Sequence, residues 1–354
     1  MTLTLTSIEA RALDIPMKKA FGIAGGAQEV ARNVLVRVEL SGNGTSFVGW
    51  GEAAPLPAFN GETQATTLAA LADTSSIVGT DSTDWRSAAE RTATVPSAAA
   101  RCALEAAILD AWCRAHDTTM LKVFGARGTT LVTDVTITTG TVRDAEREAR
   151  EFAAFRTLKI KVGGGDDHDV DLDIGRVLAI RNIRPDAKLL LDANGGLSVK
   201  SAIYLAKAVS HVGIGLFEQP TRSLEGVVEV RRVTGLPIAL DESVASAADV
   251  DEAARLGAAD AVNVKLMKSG ILGGLAVHAA IVRHGLKPMI GGMVEGRMAI
   301  ATSACFAAGI GDFAFVDLDT PLFLADDPFV GGYDTYGEKI DLAPIDRGHG
   351  CVPE

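Results

Sequence analysis

Beyond residue 130 the chain alternates between two patterns of apolar and polar residues. Eight short apolar segments recur there, at 133–138 (TDVTIT), 157–162 (TLKIKV), 187–194, 215–220, 237–243, 261–266, 287–293 and 313–319. Each is rich in β-branched and aliphatic residues, the composition of a buried strand. The stretches between most of them carry apolar residues at helical spacing and open on a cap residue or an acidic turn, as in RDAEREAREFAAF and SAADVDEAARLG. Eight strands at intervals of about 25 residues predict a parallel (β/α)8-type barrel. An open doubly wound sheet is the rival, but no glycine-rich fingerprint follows the first strand.

The first 125 residues read differently. SIEARALDI and NVLVRVEL predict neighbouring antiparallel strands, with the glycine-rich segment FGIAGGAQ between them. SFVGWGEAAP follows a turn at SGNG as a third strand, and helices come next, ending in PSAAARCALEAAILDAWCRAHD. The expected organisation is an α+β capping domain at 1–125, a barrel at 126–320, and a segment at 321–354 that packs back on the capping domain. The fold class is therefore α/β, a modified barrel of the (β/α)7β kind with an α+β cap.

Composition narrows this little. The 354 residues are 47% hydrophobic and only 5% aromatic, which suits helices packed around a buried sheet. A net charge of −11 argues against nucleic acid as a partner, because phosphate binding needs a basic face. The N-terminus lacks a basic stretch followed by an apolar core, and no run of about 18 apolar residues is seen, so neither a signal peptide nor a membrane span is expected. The scattered cysteines Cys102, Cys113, Cys305 and Cys351 predict reduced, buried thiols in a cytoplasmic protein.

In a barrel of this kind the chemistry sits at the C-terminal ends of the strands. Those ends carry Lys159 and Lys161, then Asp192 and Asn194, Glu218, Asp241, Lys265, and finally Asp317 and Asp319. Residues two apart on a strand share a face, so Lys159 and Lys161, Asp192 and Asn194, and Asp317 and Asp319 each point into one mouth. Ile160, Ala193 and Leu318 then face the helices. Asp192, Glu218 and Asp241 occupy three consecutive strands and repel one another unless a hard cation sits among them; all-oxygen ligation predicts Mg2+, one per subunit. A lysine beside such a cation and other lysines loses preference for its charged form, which moves its pKa toward that of a useful base. Lys161 and Lys265 fall on the second and sixth strands, opposite each other in a ring of eight. They are the candidate acid/base pair, with Lys159 beside them to stabilise negative charge. Lys268 reads as a helix-start lysine without a chemical role. None of the six histidines ends a predicted strand, which disfavours a metal hydrolase.

The series KIK, LDAN, FEQP, DES and NVKLMKSG resembles the enolase superfamily in its muconate-lactonizing subgroup, over nearly the whole chain. The resemblance implies that Lys161 and Lys265 exchange protons with a carbon next to a carboxylate, through an enediolate held at Mg2+ bound by Asp192, Glu218 and Asp241. DLDTP at 317–321 resembles the paired aspartates of dipeptide epimerases, which hold the free α-ammonium of the substrate. The likeness also implies Thr136, Lys159, Asn194 and Gly292 as substrate contacts. Alanyl-glutamate epimerases of this group carry an arginine in the first capping loop. Residues 21–27 hold no cation, so a small or apolar side chain is expected at the epimerised residue, and the glycines at 22–27 suggest a lid. The resulting expectation is a Mg2+-dependent isomerase, an epimerase of dipeptides, active as a homo-oligomer and without a nucleic-acid or membrane partner. N-acyl amino acid racemisation, o-succinylbenzoate synthesis and cycloisomerisation run through a similar intermediate and remain open, as does a non-catalytic metal- or ligand-binding barrel.

Overall fold

A computed structural model describes residues 1–23, 26–164 and 169–354. The chain opens with three antiparallel strands, β1 (Thr4–Ile23), β2 (Gly26–Gly42) and β3 (Thr45–Ala53), in the order β1-β2-β3. Pairing of β1 with β2 runs through Phe21–Gln28, Gly22–Ala27 and Ile23–Gly26. The segment expected to be a loop at 22–27 is thus mostly paired strand, and the tip of the expected lid, Ala24 and Gly25, lies outside the described residues. Helix Ala98–Ala115 packs flat on β3 because Gly49 and Gly51 present no side chain there; a Cβ at either would overlap the carbonyl of Ala107 or Ala103.

A short strand, β4 (Thr130–Val132), precedes the barrel. Eight parallel strands follow: β5 (Val135–Ile137), β6 (Thr157–Lys161), β7 (Lys188–Asp192), β8 (Ile214–Glu218), β9 (Ile238–Leu240), β10 (Ala261–Val264), β11 (Lys287–Gly291) and β12 (Phe315–Asp317). All eight lie within the segments expected from the apolar pattern or within one residue of them. Seven α-helices connect them among the described residues, from Val142–Glu151 to Arg297–Ile310. Thr141, Ser198, Ser223 and Ser246 cap helix N-termini with their hydroxyls, while Gly235 and Gly257 end helices at positive φ. The ladder is continuous from β5 to β12. The remaining seam is closed by single bonds: Asp134 N–H donates to Val316 O at 2.9 Å, Leu318 N–H to Thr133 Oγ1 at 2.9 Å, and Thr136 N–H to Asp319 Oδ2 at 2.6 Å.

The barrel interior is stratified. Leu190, Leu216, Ala239, Ala261 and Met289 form a small apolar layer of their own inside the ring. Two residues further along the same strands stand Asp192, Glu218, Asp241 and Asn263, pointing the same way. Ile160, Ala193 and Leu318 belong instead to the main core outside the ring.

The chain ends in short strands: β13 (Phe329–Gly331), β14 (Asp334–Tyr336), β15 (Lys339–Asp341) and β16 (Cys351–Pro353). β13 pairs with β16, and β15 joins β14 to β4. Buried His349 bonds Asp110 and Trp50 of the capping domain. Helix Leu266–Arg283 reaches the length and mean hydropathy of a membrane span, which the sequence reading did not anticipate. Its apolar residues pack on helices Ala98–Ala115 and Ala247–Leu256 between two barrel strands.

Candidate active site

The register of the parallel strands sets Lys161 opposite Asp192, and Asp192 opposite Glu218. All three side chains are buried at the mouth, as are Asp241 and Lys265. Lys161 Nζ donates to Asp192 Oδ2 at 2.6 Å and to Asn194 Oδ1 at 3.2 Å. Across the ring, Lys265 Nζ donates to Asp241 Oδ2 at 2.7 Å. Lys159 pairs with Asp317 and lies 3.7 Å from Asp192 and 4.0 Å from Glu218. The two lysines expected to act as a pair therefore reach different carboxylates of one acidic group, from opposite strands.

Electrostatics follow from this packing. Burial pushes the Glu218 carboxyl up to about 8, with Asp192 adding to it and Lys159 opposing. At Asp192 burial acts upward too, but Lys161 and Lys159 outweigh it and hold the group below its ordinary value. Lys265 and Lys268 do the same for Asp241. Burial pulls Lys265 down, yet Asp241 and Glu218 win and push it above its usual value. The lowering expected from sequence presupposes a cation among these carboxylates; without one the lysine ammoniums are themselves the countercharge, so ionic attraction exceeds the penalty of burial.

Glu218 Oε2 has no hydrogen-bond partner, although it is buried between two further carboxylates. A buried carboxylate oxygen without a donor is costly unless a cation meets it. Asp192, Glu218 and Asp241 thus fit a hard divalent cation in donor type and in unmet demand.

Lys268, expected to have no chemical role, makes contacts in the site that the sequence did not show. It lies in the first turn of its helix as expected, but its side chain turns back into the site. Nζ donates to Asp241 O (2.8 Å), Asp241 Oδ1 (3.0 Å) and Asn263 O (2.8 Å). Other participants went unrecognised in the sequence. Asn263 donates to Glu218 Oε1 at 2.6 Å; its signal was an amide two residues before Lys265 on an otherwise apolar strand. Gln219, at φ 34, accepts from the main-chain N–H groups of Asp241 and Ser243 and so ties the end of β8 to the loop bearing Asp241. Fully buried Arg176 donates to Lys161 O at 2.7 Å and Thr138 O at 2.6 Å, anchoring the end of β6. Glu242 accepts from Asn194 Nδ2 at 3.1 Å.

At the seam of the barrel, Asp317, Asp319 and buried Asp134 bring carboxylate oxygens within 4.8 Å of one another. Burial and then Asp317 push Asp319 up to about 6 and hold Asp134 well above the carboxylate range. Asp317 bonds Lys159, and Asp319 takes the Thr136 N–H. Thr136 is buried beside them, and Gly292 follows β11 at the rim, half-buried. From the capping domain, the Phe59 ring stands over Lys265, its centroid 5.7 Å from Nζ. A cavity of about 510 Å3, lined by residues that include Gln28, Arg32, Pro57 and Gln64, lies in the capping domain.

A parallel barrel with acidic ligands on three successive strands, flanked by lysines, and a β-sheet cap together define an enolase-type protein. The chain matches the family described as "Enolase C-terminal domain-like" over residues 141–352 and "Mandelate racemase / muconate lactonizing enzyme, N-terminal domain" over residues 5–125. It belongs to the mandelate racemase/muconate lactonizing enzyme family of the enolase superfamily. It is 42% identical, over 99% of both chains, to an aromatic dipeptide epimerase of Herpetosiphon aurantiacus. Among solved structures it resembles the L-Ala-D/L-Glu epimerase of Bacillus subtilis in a substrate-liganded complex (30% identity, TM-score 0.93, 99% of both chains). It also resembles a dipeptide epimerase of Enterococcus faecalis complexed with Mg and L-Leu-L-Tyr (30% identity, TM-score 0.92, 99% of both chains).

Proposed function

We propose that this protein is a Mg2+-dependent dipeptide epimerase that inverts the α-carbon of the C-terminal residue. The observation that carries the reading is the pair of buried lysines, Lys161 and Lys265, reaching one acidic group from opposite strands. A binding protein has no use for a proton-transfer group on each face of its ligand. The names of the relatives support the reading, as does the Mg bound in the Enterococcus faecalis homologue.

The substrate carboxylate points toward Asp192, Glu218 and Asp241. A divalent cation held there supplies Lewis-acid stabilisation of the negative charge that builds on that carboxylate. Neutral Lys161 or Lys265 takes the α-proton from one face; the other, as an ammonium, returns a proton to the opposite face. Lys159 adds positive charge beside the developing enediolate. Asp317 and Asp319 accept the free α-ammonium, with Thr136, Asn194 and Gly292 lining the substrate. Phe59 over Lys265 and the aromatic relative favour an apolar or aromatic side chain at the inverted residue. Four buried, unpaired cysteines suit a reducing, cytoplasmic setting. A homo-oligomer completes the reading, and light scattering tests that part.

The decisive experiment incubates the Mg2+-loaded protein with a dipeptide library in D2O and reads α-deuterium by mass spectrometry. Exchange confined to free dipeptides with apolar C-terminal residues supports the reading. No exchange with any dipeptide ends it. Exchange of N-succinyl amino acids alone removes the role given to Asp317 and Asp319.

A further inference from the structure

Glu105 sits in the middle of helix Ala98–Ala115, among alanine, leucine and isoleucine, and is only 3% exposed. A carboxylate in such surroundings needs donors, and most of these come from the barrel. Oε2 accepts the main-chain N–H of Leu272 at 2.9 Å, and the N–H of Ile271 bonds the same carboxylate. Oε1 accepts the Thr92 hydroxyl at 3.1 Å.

The barrel helix that receives Glu105 is not continuous. Gly270 has φ 76 and ψ 179, so Leu266–Ser269 form one isolated turn and the helix restarts at Ile271. Glu105 supplies the N-terminal cap of this second segment, meeting N–H groups that have no partner within the helix. Gly270 is required twice over. Its φ disfavours any side chain, and a Cβ would lie 2.6 Å from Glu105 Oε1.

The isolated turn carries the chemistry. Lys265 is its N-cap residue, and Lys268 lies within it. One end is tied to the strand ends by Lys268 through Asp241 O and Asn263 O. The other end meets Glu105. We propose that Glu105 is a positioning residue for Lys265: by capping the restarted helix from the capping domain, it fixes the turn that aims the Lys265 amine. This rests on Lys265 being one of the two proton-transfer groups. It also makes correct seating of the capping domain a condition for one of the two half-reactions.

The test follows deuterium wash-in to unconverted L-Ala-L-Phe and L-Ala-D-Phe, separately, with the Mg2+-loaded protein. Wash-in is used because the ratio of overall forward and reverse rates is fixed by the equilibrium constant. Lys265→Ala first identifies the epimer that depends on Lys265, as the one whose wash-in is lost. Glu105→Ala is expected to slow wash-in to that epimer of the order of 10- to 100-fold more than to the other, the effect of misplacing a reacting group by an ångström. Glu105→Asp, which withdraws the carboxylate by one methylene and preserves the charge, gives the same asymmetry if the alanine variant does not fold. Glu105→Gln keeps an acceptor oxygen and restores most of the lost rate. Equal slowing of both epimers, or none in either, overturns the proposal, since a general structural role moves both together. Absence of wash-in in the unmutated protein removes the proposed function itself, and this inference with it.

Discussion

Lys268 and Lys265 both bond Asp241, yet their substitution should have opposite consequences. Lys268→Met keeps most of the apolar stem and removes the ammonium. It strips Asp241 O and Asn263 O of a donor and takes one of two cations from the Asp241 carboxylate. Breaking a buried pair from one side costs about 3–5 kcal/mol. Two features place this case at the lower end. Burial, the largest influence on Lys268, pulls it down more than Asp241 pushes it up, so the variant is relieved of that penalty. Asp241 also retains Lys265. A loss of about 3 kcal/mol remains, a fall of about 6 °C in melting temperature at roughly 2 °C per kcal/mol for a large domain. Lys265→Met removes a single bond, and Asp241 keeps Lys268, so its loss should be about 1–2 kcal/mol. Wash-in to one epimer should vanish in that variant all the same. Thermal melts by circular dichroism and deuterium wash-in on the same preparations separate the two. If Lys268→Met melts within about 1 °C of the parent, or Lys265→Met is the less stable, the assignment of structural and chemical roles is wrong.

Lys161→Ala should abolish two-way epimerisation while leaving wash-in to the epimer that Lys265 serves; full turnover by NMR would remove Lys161 from the chemistry. Gln219→Ala frees the loop carrying Asp241, and Mg2+ affinity by calorimetry should fall about tenfold, as when supporting partners of metal ligands are lost. Burial first, against bonds from Leu272 and Thr92, raises Glu105 from 4.5 to about 7. A raised carboxyl contributes its stability fully below pH 4.5 and loses it as pH climbs through 7, so Glu105→Gln should gain on the parent in melting temperature between pH 5 and pH 8; a constant difference across that range would refute the shift.

Some of this was legible in the sequence for a plain reason. A strand repeats every two residues, so Lys159 and Lys161, or Asp192 and Asn194, declare their shared face without a structure. Strand order then places Lys161 and Lys265 across the ring. The contacts of Lys268 were not legible because helical spacing says which face a residue leaves from, not that a long side chain can fold back past its own N-terminus to a neighbouring strand. Arg176 and Glu105 left a weaker trace, each a charge on a buried face of a helix. The bonds that tie them to the barrel reach main-chain groups 15 and 167 residues away in sequence, and main-chain groups have no signature to search for. The sign of the Lys265 shift depends on whether carboxylates or a cation dominate at a few ångströms, which residue types alone do not decide.

The stratified barrel explains why so many charges can share one mouth. Below Asp192, Glu218 and Asp241 the ring is filled by Leu190, Leu216, Ala239, Ala261 and Met289, which closes the interior to water from beneath. Above them the capping domain contributes Phe59 beside Lys265. Charges between two apolar layers gain far more from one another than charges in solvent, and they suffer far more when one is unmatched. The described lysines at this level therefore pair with carboxylates, and the one buried carboxylate oxygen left without a donor among the three candidate ligands, Glu218 Oε2, marks where a cation is wanted. The same logic makes geometry strict. Moving Lys265 away from Asp241 exposes both charges to the cost of burial, so the turn that carries Lys265 must be held at both ends. Lys268 holds it to the strands, and Glu105 holds it to the cap.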